Sequence, residues 1–157
     1  MNRQRAFLGG VIAGAVMTVL MALARAMGMP ANISMLLGTM VGLMPGPGAW
    51  LVGFVIHLVL SGLVALLYGW GFEQLTHRAG AWVGAGFSVI HFVLAGLLLG
   101  LIPALHPAIP TQMSAPGIFL SNLGAPGVVA FIALHVIYGL IVGTAYGPVH
   151  HVRPERQ

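Results

Sequence analysis

The sequence predicts an all-α integral membrane protein built as a bundle of four transmembrane helices. Hydrophobic residues make up 59% of the 157 residues and charged residues only 5%. The mean hydropathy of +1.00 is too high for a soluble domain of ordinary composition. Four apolar stretches are each long enough to cross a hydrocarbon core, which takes about 20 helical residues. Because they leave no room for a soluble domain, we expect residues 1–157 to form a single membrane domain.

Each predicted span is a mainly apolar run, and together the spans cover residues 6–28, 48–70, 81–103 and 127–147. A helix is the expected conformation, because it satisfies its backbone hydrogen bonds within the segment. The first run could instead be a secretory signal peptide, since Arg3 and Arg5 precede it. We interpret it as a span because it is longer than the usual apolar region of a signal peptide.

The basic residues predict the orientation of the bundle. Most of them precede the first span, separate the second from the third, or follow the fourth: Arg3, Arg5, Arg78, Arg153 and Arg156. With four spans, all of these places lie on one side of the membrane. The two outer loops, 29–47 and 104–126, contain no charged residue. The positive-inside rule therefore predicts that both termini lie in the cytoplasm. We expect a bacterial inner-membrane location, because the chain is similar in general character to small bacterial inner-membrane proteins.

The outer loops are rich in methionine, proline and glycine, and each contains the pattern of a short helix. Asn32 can cap a helix that runs to Val41, and Pro116 can start another that runs to Asn122. Such apolar helices lie in the membrane interface or fold back over the bundle. The loops are then either a simple lid or a docking surface for other membrane subunits. Nucleic acid is not an expected partner, because the few positive charges are needed for topology.

The two halves of the chain resemble each other, which predicts a tandem duplication of a two-helix unit. The second and fourth spans each have a proline at the start, a histidine in the middle and a tyrosine eleven residues later: Pro47, His57 and Tyr68, then Pro126, His135 and Tyr146. Two parallel copies would be related by an axis along the membrane normal. The alternative is chance similarity among glycine-rich apolar helices.

Three histidines lie near the middle of three predicted spans. His57 and His135 are about 13 Å of helix from the outer ends of their spans, and His91 reaches a similar depth from the other side. An ionisable side chain at the centre of a bilayer usually faces the bundle interior or a cavity, where it often marks function. We therefore expect these side chains to form one layer inside the bundle.

The first hypothesis for this layer is a b-type haem that serves electron transfer in a larger bioenergetic complex. A duplicated bundle would place His57 and His135 on diagonal helices about 14 Å apart, as axial ligands on either side of the iron. His91 would orient a ligand or line the pocket. Arg25 would pair with a propionate, unless it simply reaches for the membrane surface. The haem would be held without covalent links, because the chain has no cysteine.

Two alternatives remain open on the sequence. The same residues, His57, His91 and His135, could bind copper or zinc, or line a path for a metal ion or proton. His106 with Met113 is a weaker candidate pair outside the membrane. Alternatively, the protein is an accessory subunit without a cofactor, and each histidine hydrogen-bonds within the bundle. We expect no independent catalytic activity, because the spans contain no acid, thiol or lysine to share chemistry with histidine.

Overall fold

The computed structural model of the protein describes residues 1–149. Within that range every regular element is helical and no strand occurs. The helices in chain order are α1 Arg3–Ala26, α2 Ile33–Met40, α3 Pro47–Gly71, α4 Ala81–Leu105 and α5 Gly124–Tyr146. A π-helical turn, Phe72–Thr76, extends α3, and a 3-10 segment, Ile118–Leu123, precedes α5.

The described residues contain four segments that are long and apolar enough to span a membrane. They comprise α1, α3 with its π turn, α4, and α5 with the 3-10 segment. The predicted fold class is confirmed at this level, and the chain has the organisation of a multi-pass membrane protein. Two of the arginines used to predict the orientation, Arg153 and Arg156, lie outside the described residues.

Local sequence signals explain where the helices begin and end. The Asn2 side chain accepts a hydrogen bond from the backbone N–H of Arg5 at 3.0 Å and caps α1. Asn32 caps α2 in the same way through Met35. Pro47 occupies the first turn of α3, where its missing N–H is not needed. Gly147 ends α5 with a φ of 76°, which favours glycine.

The four long helices do not pack evenly around the bundle. Helix α1 packs against both α3 and α5, and α4 packs against α5. Glycines allow close backbone approach at these interfaces. Gly10 lies against Ser61 on α3, and Gly139 lies against Gly84 on α4. The contacts between α3 and α4 are much sparser, and aromatic rings at one end of the two helices supply most of them.

Both outer loops fold back along the long helices, and we call this end of the bundle the outer end. Helix α2 runs antiparallel to α3, where Gly38 meets the backbone of Ala49. Its observed start and its Asn32 cap confirm the predicted short helix in the first loop. The second loop forms a 3-10 segment that packs on α4. The short helix predicted there is thus present as a 3-10 segment, which is interrupted at Phe119 and Leu120 by positive φ angles of 52° and 60°.

The opposite, inner end of the bundle is filled by aromatic side chains. We call this group the aromatic plug, and it consists of Tyr68, Phe72, Phe87, Tyr138 and Tyr146. Phe72 is 0% exposed, and its ring centroid lies 5.3 Å from that of Tyr146. The Tyr146 hydroxyl donates a hydrogen bond to Glu73 Oε1 at 2.6 Å. The inner end is therefore closely packed.

Candidate functional site

A cavity of about 730 Å³ lies between α3 and α4, on the outer side of the aromatic plug. Met17 and Met21 of α1 form part of its wall. Residues of both outer loops line its outer end, including Asn32 and Asn122. All three midspan histidines, His57, His91 and His135, line this one cavity. Tyr138 of the aromatic plug also lines it.

The orientation of His57 is set by a threonine on the neighbouring helix. Its Nδ1 lies 3.0 Å from Thr18 Oγ1, and the Thr18 hydroxyl donates to the Gly14 carbonyl oxygen at 3.0 Å. A hydroxyl has one proton, which the Gly14 bond uses. This pair of bonds assigns the ring proton of His57 to Nδ1, which then donates to Thr18. In the neutral ring, Nε2 then keeps an unshared electron pair.

The orientation of His135 is set by its own helix. Its Nδ1 lies 2.7 Å from the carbonyl oxygen of Phe131, one turn earlier in α5. A carbonyl oxygen only accepts, so Nδ1–H must be the donor. The ring also packs on Phe131, with centroids 4.2 Å apart. His135 is only 7% exposed, and in the neutral ring its Nε2 has an unshared electron pair, like that of His57.

His91 lies between the aromatic plug and His135. Its Nδ1 is hydrogen-bonded to the Tyr68 hydroxyl at 3.2 Å. Its ring centroid lies 4.7 Å from that of His135 and 5.0 Å from that of Tyr138. Tyr138 is itself fixed, because its hydroxyl donates to the Ser61 carbonyl oxygen. The plug therefore holds the His91 ring against a second imidazole at the cavity wall.

The structure thus brings together the three histidines that the sequence singled out, and it places Arg25 elsewhere. Among residues 1–149, no group of three or more His, Cys, Asp or Glu side chains is arranged to hold a metal ion. Arg25 is half-buried near the end of α1, and its guanidinium donates to the Ala31 carbonyl oxygen at 3.2 Å. Because Arg25 does not line the cavity, a propionate partner would have to draw it out of this bond.

His106 has a structural role that leaves neither ring nitrogen available as a ligand. Nδ1 accepts a hydrogen bond from the Ala108 N–H at 3.1 Å, so Nε2 carries the ring proton. Nε2 then donates to the Leu36 carbonyl oxygen at 3.0 Å. The ring is 4% exposed and joins the second outer loop to α2. A metal ion held by His106 and Met113 would have to break one of these two bonds.

The outer loops supply polar residues to the site that were not among the predicted site residues. Asn32 and Asn122 line the cavity because both loops fold inward. The Asn32 side-chain oxygen is used as a helix cap, so its amide N–H groups remain as donors. The short apolar helices and the absence of charge in the two loops predicted the inward folding, but not which side chains reach the cavity.

Comparison with known proteins identifies no relative of this chain. No family model, no curated protein and no solved structure matches the chain. Function is therefore inferred from the chemistry of the cavity.

Proposed function

We propose that the cavity binds a b-type haem and that the protein transfers electrons as a subunit of a larger membrane complex. One observation carries this proposal: His57 and His135, on different helices, line one cavity with their Nδ1 protons already donated inside the protein. Histidines that bind metals usually donate the other ring N–H to an internal acceptor, which fixes the tautomer and the ring orientation. The donor set therefore suits two axial ligands that bind through Nε2.

The size and lining of the cavity also suit a haem. A volume of about 730 Å³ falls within the range of about 300–1,000 Å³ that is typical of cofactor pockets. Met17, Met21 and Leu134 supply apolar surface for the faces of a porphyrin. Since the chain has no cysteine, the haem would be held without thioether links.

The polar residues of the cavity suggest how a haem would be oriented. Asn32 at the outer end has amide N–H groups that can donate to a propionate. Asn122 donates one amide N–H to the Ala115 carbonyl oxygen at 2.9 Å and keeps the other for a propionate. His91, in ring contact with His135, would hold that ligand in place. In this arrangement the asparagines take the role that the sequence suggested for Arg25.

The closed inner end favours electron transfer over a transport path. A transported ion would have to pass the aromatic plug, in which Phe72 is 0% exposed. Electron transfer needs no open path, and the potential of a bound haem would depend on its axial ligands and on burial. A partner subunit would contact the outer loops, where Met44 is 72% exposed. The arginine pattern supports cytoplasmic termini, and the general character of the chain supports a bacterial inner-membrane location.

Two specific observations favour competing functions. The His91 and His135 rings are 4.7 Å apart, which suits a copper or zinc ion held by two imidazoles. Each cavity histidine also has an internal hydrogen-bond partner, as expected of an accessory subunit without a cofactor. Both functions predict a purified protein without haem absorption.

The test is a reduced-minus-oxidised visible spectrum of the full-length protein, with metal analysis of the same sample. We expect a b-type haem band that is lost in His57→Ala and in His135→Ala. His77→Asn is the matched control, because His77 lies in the exposed turn before α4 and its φ of 50° is one that asparagine tolerates. A colourless, metal-free protein that co-purifies with a stable partner would contradict the haem proposal. Copper or zinc without haem would contradict it in favour of the metal site.

A further inference from the structure

The wall of the cavity between α3 and α4 is incomplete. Leu60 on α3 and Leu98 on α4 both line the cavity, and they are 44% and 61% exposed. Because the contacts between α3 and α4 are sparse, these two side chains lie at the edge of an opening between the helices. The opening is in the side of the bundle, since α3 and α4 come together through aromatic rings closer to the inner end.

The other boundaries of the cavity differ from this side in packing and in polarity. The aromatic plug fills the inner end, where Tyr68 is 4% exposed and Phe72 is 0% exposed. The outer loops lie over the outer end and are joined by the hydrogen bond from His106 to Leu36. Ser114 and Asn122 line the cavity there and are also exposed, so this end has a polar opening. Helices α1 and α5 pack together on the far side of the bundle. The gap at Leu60 and Leu98 is therefore the apolar route between the cavity and the surroundings, whereas the outer end is polar.

We propose that the ligand of this cavity enters sideways from the hydrocarbon core of the membrane, between Leu60 and Leu98. The proposal rests on the proposed function only for the identity of the ligand, a haem. Both edges of the gap are leucines, so an apolar molecule dissolved in lipid can pass without losing hydrogen bonds to water. A charged, water-soluble molecule would have to give up its hydration to use the same route.

This route agrees with the distribution of polar groups in the cavity. The amides of Asn32 and Asn122 lie at its outer end, where carboxylates can stay close to the membrane surface. The imidazole of His57 lies deeper, on the same helix as Leu60. A haem that slides in with its apolar edge first would reach the histidines while its propionates remain at the outer end. The two asparagines would then receive the propionates.

The first test measures the rate of haem loading. The apoprotein in lipid vesicles that already contain haem should load about tenfold more slowly when both gap residues are enlarged, as Leu60→Trp with Leu98→Trp. It should load faster when both are reduced, as Leu60→Ala with Leu98→Ala. Leu67→Trp is the matched control, because Leu67 is 69% exposed on the same helix and does not line the cavity.

The direction of both changes decides the outcome of this test. Slower loading in the tryptophan pair together with faster loading in the alanine pair supports the gap. Loading at the unsubstituted rate in both pairs, or a change in the same direction in both, overturns sideways entry. Haem binding itself can remain intact in that case, so the proposed function would stand.

The second test needs no haem. Because the chain has no cysteine, a nitroxide label at Leu99→Cys would be unique and would report from the cavity wall. The reference position is Leu94→Cys, since Leu94 is 56% exposed on α4 and does not line the cavity. We expect both labels to collide more with lipid-soluble oxygen than with a water-soluble nickel chelate.

The accessibility of the label tests the entry route independently of whether the cavity binds haem. Preferential access of nickel to the label at position 99 would overturn the route in favour of water entry through the outer loops. Low access of both reagents would also overturn it, because the cavity would then be closed. Preferential oxygen access in a protein that never binds haem would support the opening and contradict the proposed function.

Discussion

His57 donates a hydrogen bond from Nδ1 to the Thr18 hydroxyl across the interface between α3 and α1, over 3.0 Å. The same hydroxyl donates to Gly14, so one threonine determines which imidazole nitrogen keeps its electron pair. The deciding residue lies on a helix that contributes no histidine to the cavity. Substitution of Thr18 therefore changes what orients the His57 ring without removing the imidazole that would bind the iron.

Thr18→Val tests this relationship. Valine has nearly the same shape but cannot accept the proton of His57, so the ring loses the bond that fixes its tautomer. We expect haem affinity to fall by about 10- to 100-fold. The free energy of unfolding should fall by only about 0.6 kcal/mol, as for an average hydrogen bond between membrane helices. Haem titration and thermal unfolding in detergent measure the two effects.

Thr144→Val is the matched control for that experiment. Thr144 also donates to the carbonyl four residues earlier, at 2.7 Å, but it is exposed and has no histidine partner. We expect its haem affinity to equal that of the unsubstituted protein. Equal losses of affinity in both variants would contradict a specific role for Thr18.

Gly139→Ala tests the close packing of α4 on α5. A Cβ at Gly139 would overlap the carbonyl oxygen of Gly84 and approach the Cβ of Ser88, so the two helices would have to separate. We expect a destabilisation of about 1–3 kcal/mol, as for other overpacked sites. Thermal unfolding in detergent measures it. Gly86→Ala is the control, because a Cβ there meets nothing within 4 Å. An unchanged melting temperature in Gly139→Ala would disprove the close approach.

Tyr146→Phe tests the polar contact at the inner end. Removing the hydroxyl deprives the buried Glu73 carboxyl group of a hydrogen bond of 2.6 Å. A buried group that loses a donor destabilises a protein by about 1–3 kcal/mol. We expect a lower melting temperature and faster amide hydrogen exchange in residues 72–80. Protection that matches the unsubstituted protein would show that the hydroxyl contributes little.

His106→Ala tests the connection between the outer loops. The substitution removes both the bond to Leu36 and the bond from Ala108, so the second outer loop should detach from α2. We expect faster proteolysis within 104–126. The haem band should keep its position, because His106 does not line the cavity. A shifted haem band together with unchanged proteolysis within 104–126 would contradict this expectation.

The sequence alone predicted the four long apolar helices, the short helix α2 and the similar position of the three histidines along their helices. Apolar length determines a membrane helix almost by itself, and Asn32 marks the start of α2 through its capping side chain. The inward direction of His57 and His135 follows from helical periodicity. These features depend on residues that are close together in the chain.

The remaining features depend on contacts between distant segments. The positive φ angles of Phe119 and Leu120 have no signal in their side chains, so an uninterrupted helix was expected there. Alignment of the two halves does not reveal that Thr18 is the partner of His57, because the pairing arises from how α1 packs on α3. The sparse contact between α3 and α4 also depends on the whole arrangement. The duplication itself stays a prediction.

The unequal packing of the helix interfaces also determines how many haem molecules one chain can bind. On one side, Gly9 lets α1 approach α5 closely: a Cβ at position 9 would lie 3.0 Å from the Ala145 Cβ. No ligand fits between these two helices at that point. On the other side, α3 and α4 are separated by the cavity that the three histidines line. This cavity therefore has room for one haem. Quantitative haem analysis of the purified protein should approach one equivalent per chain.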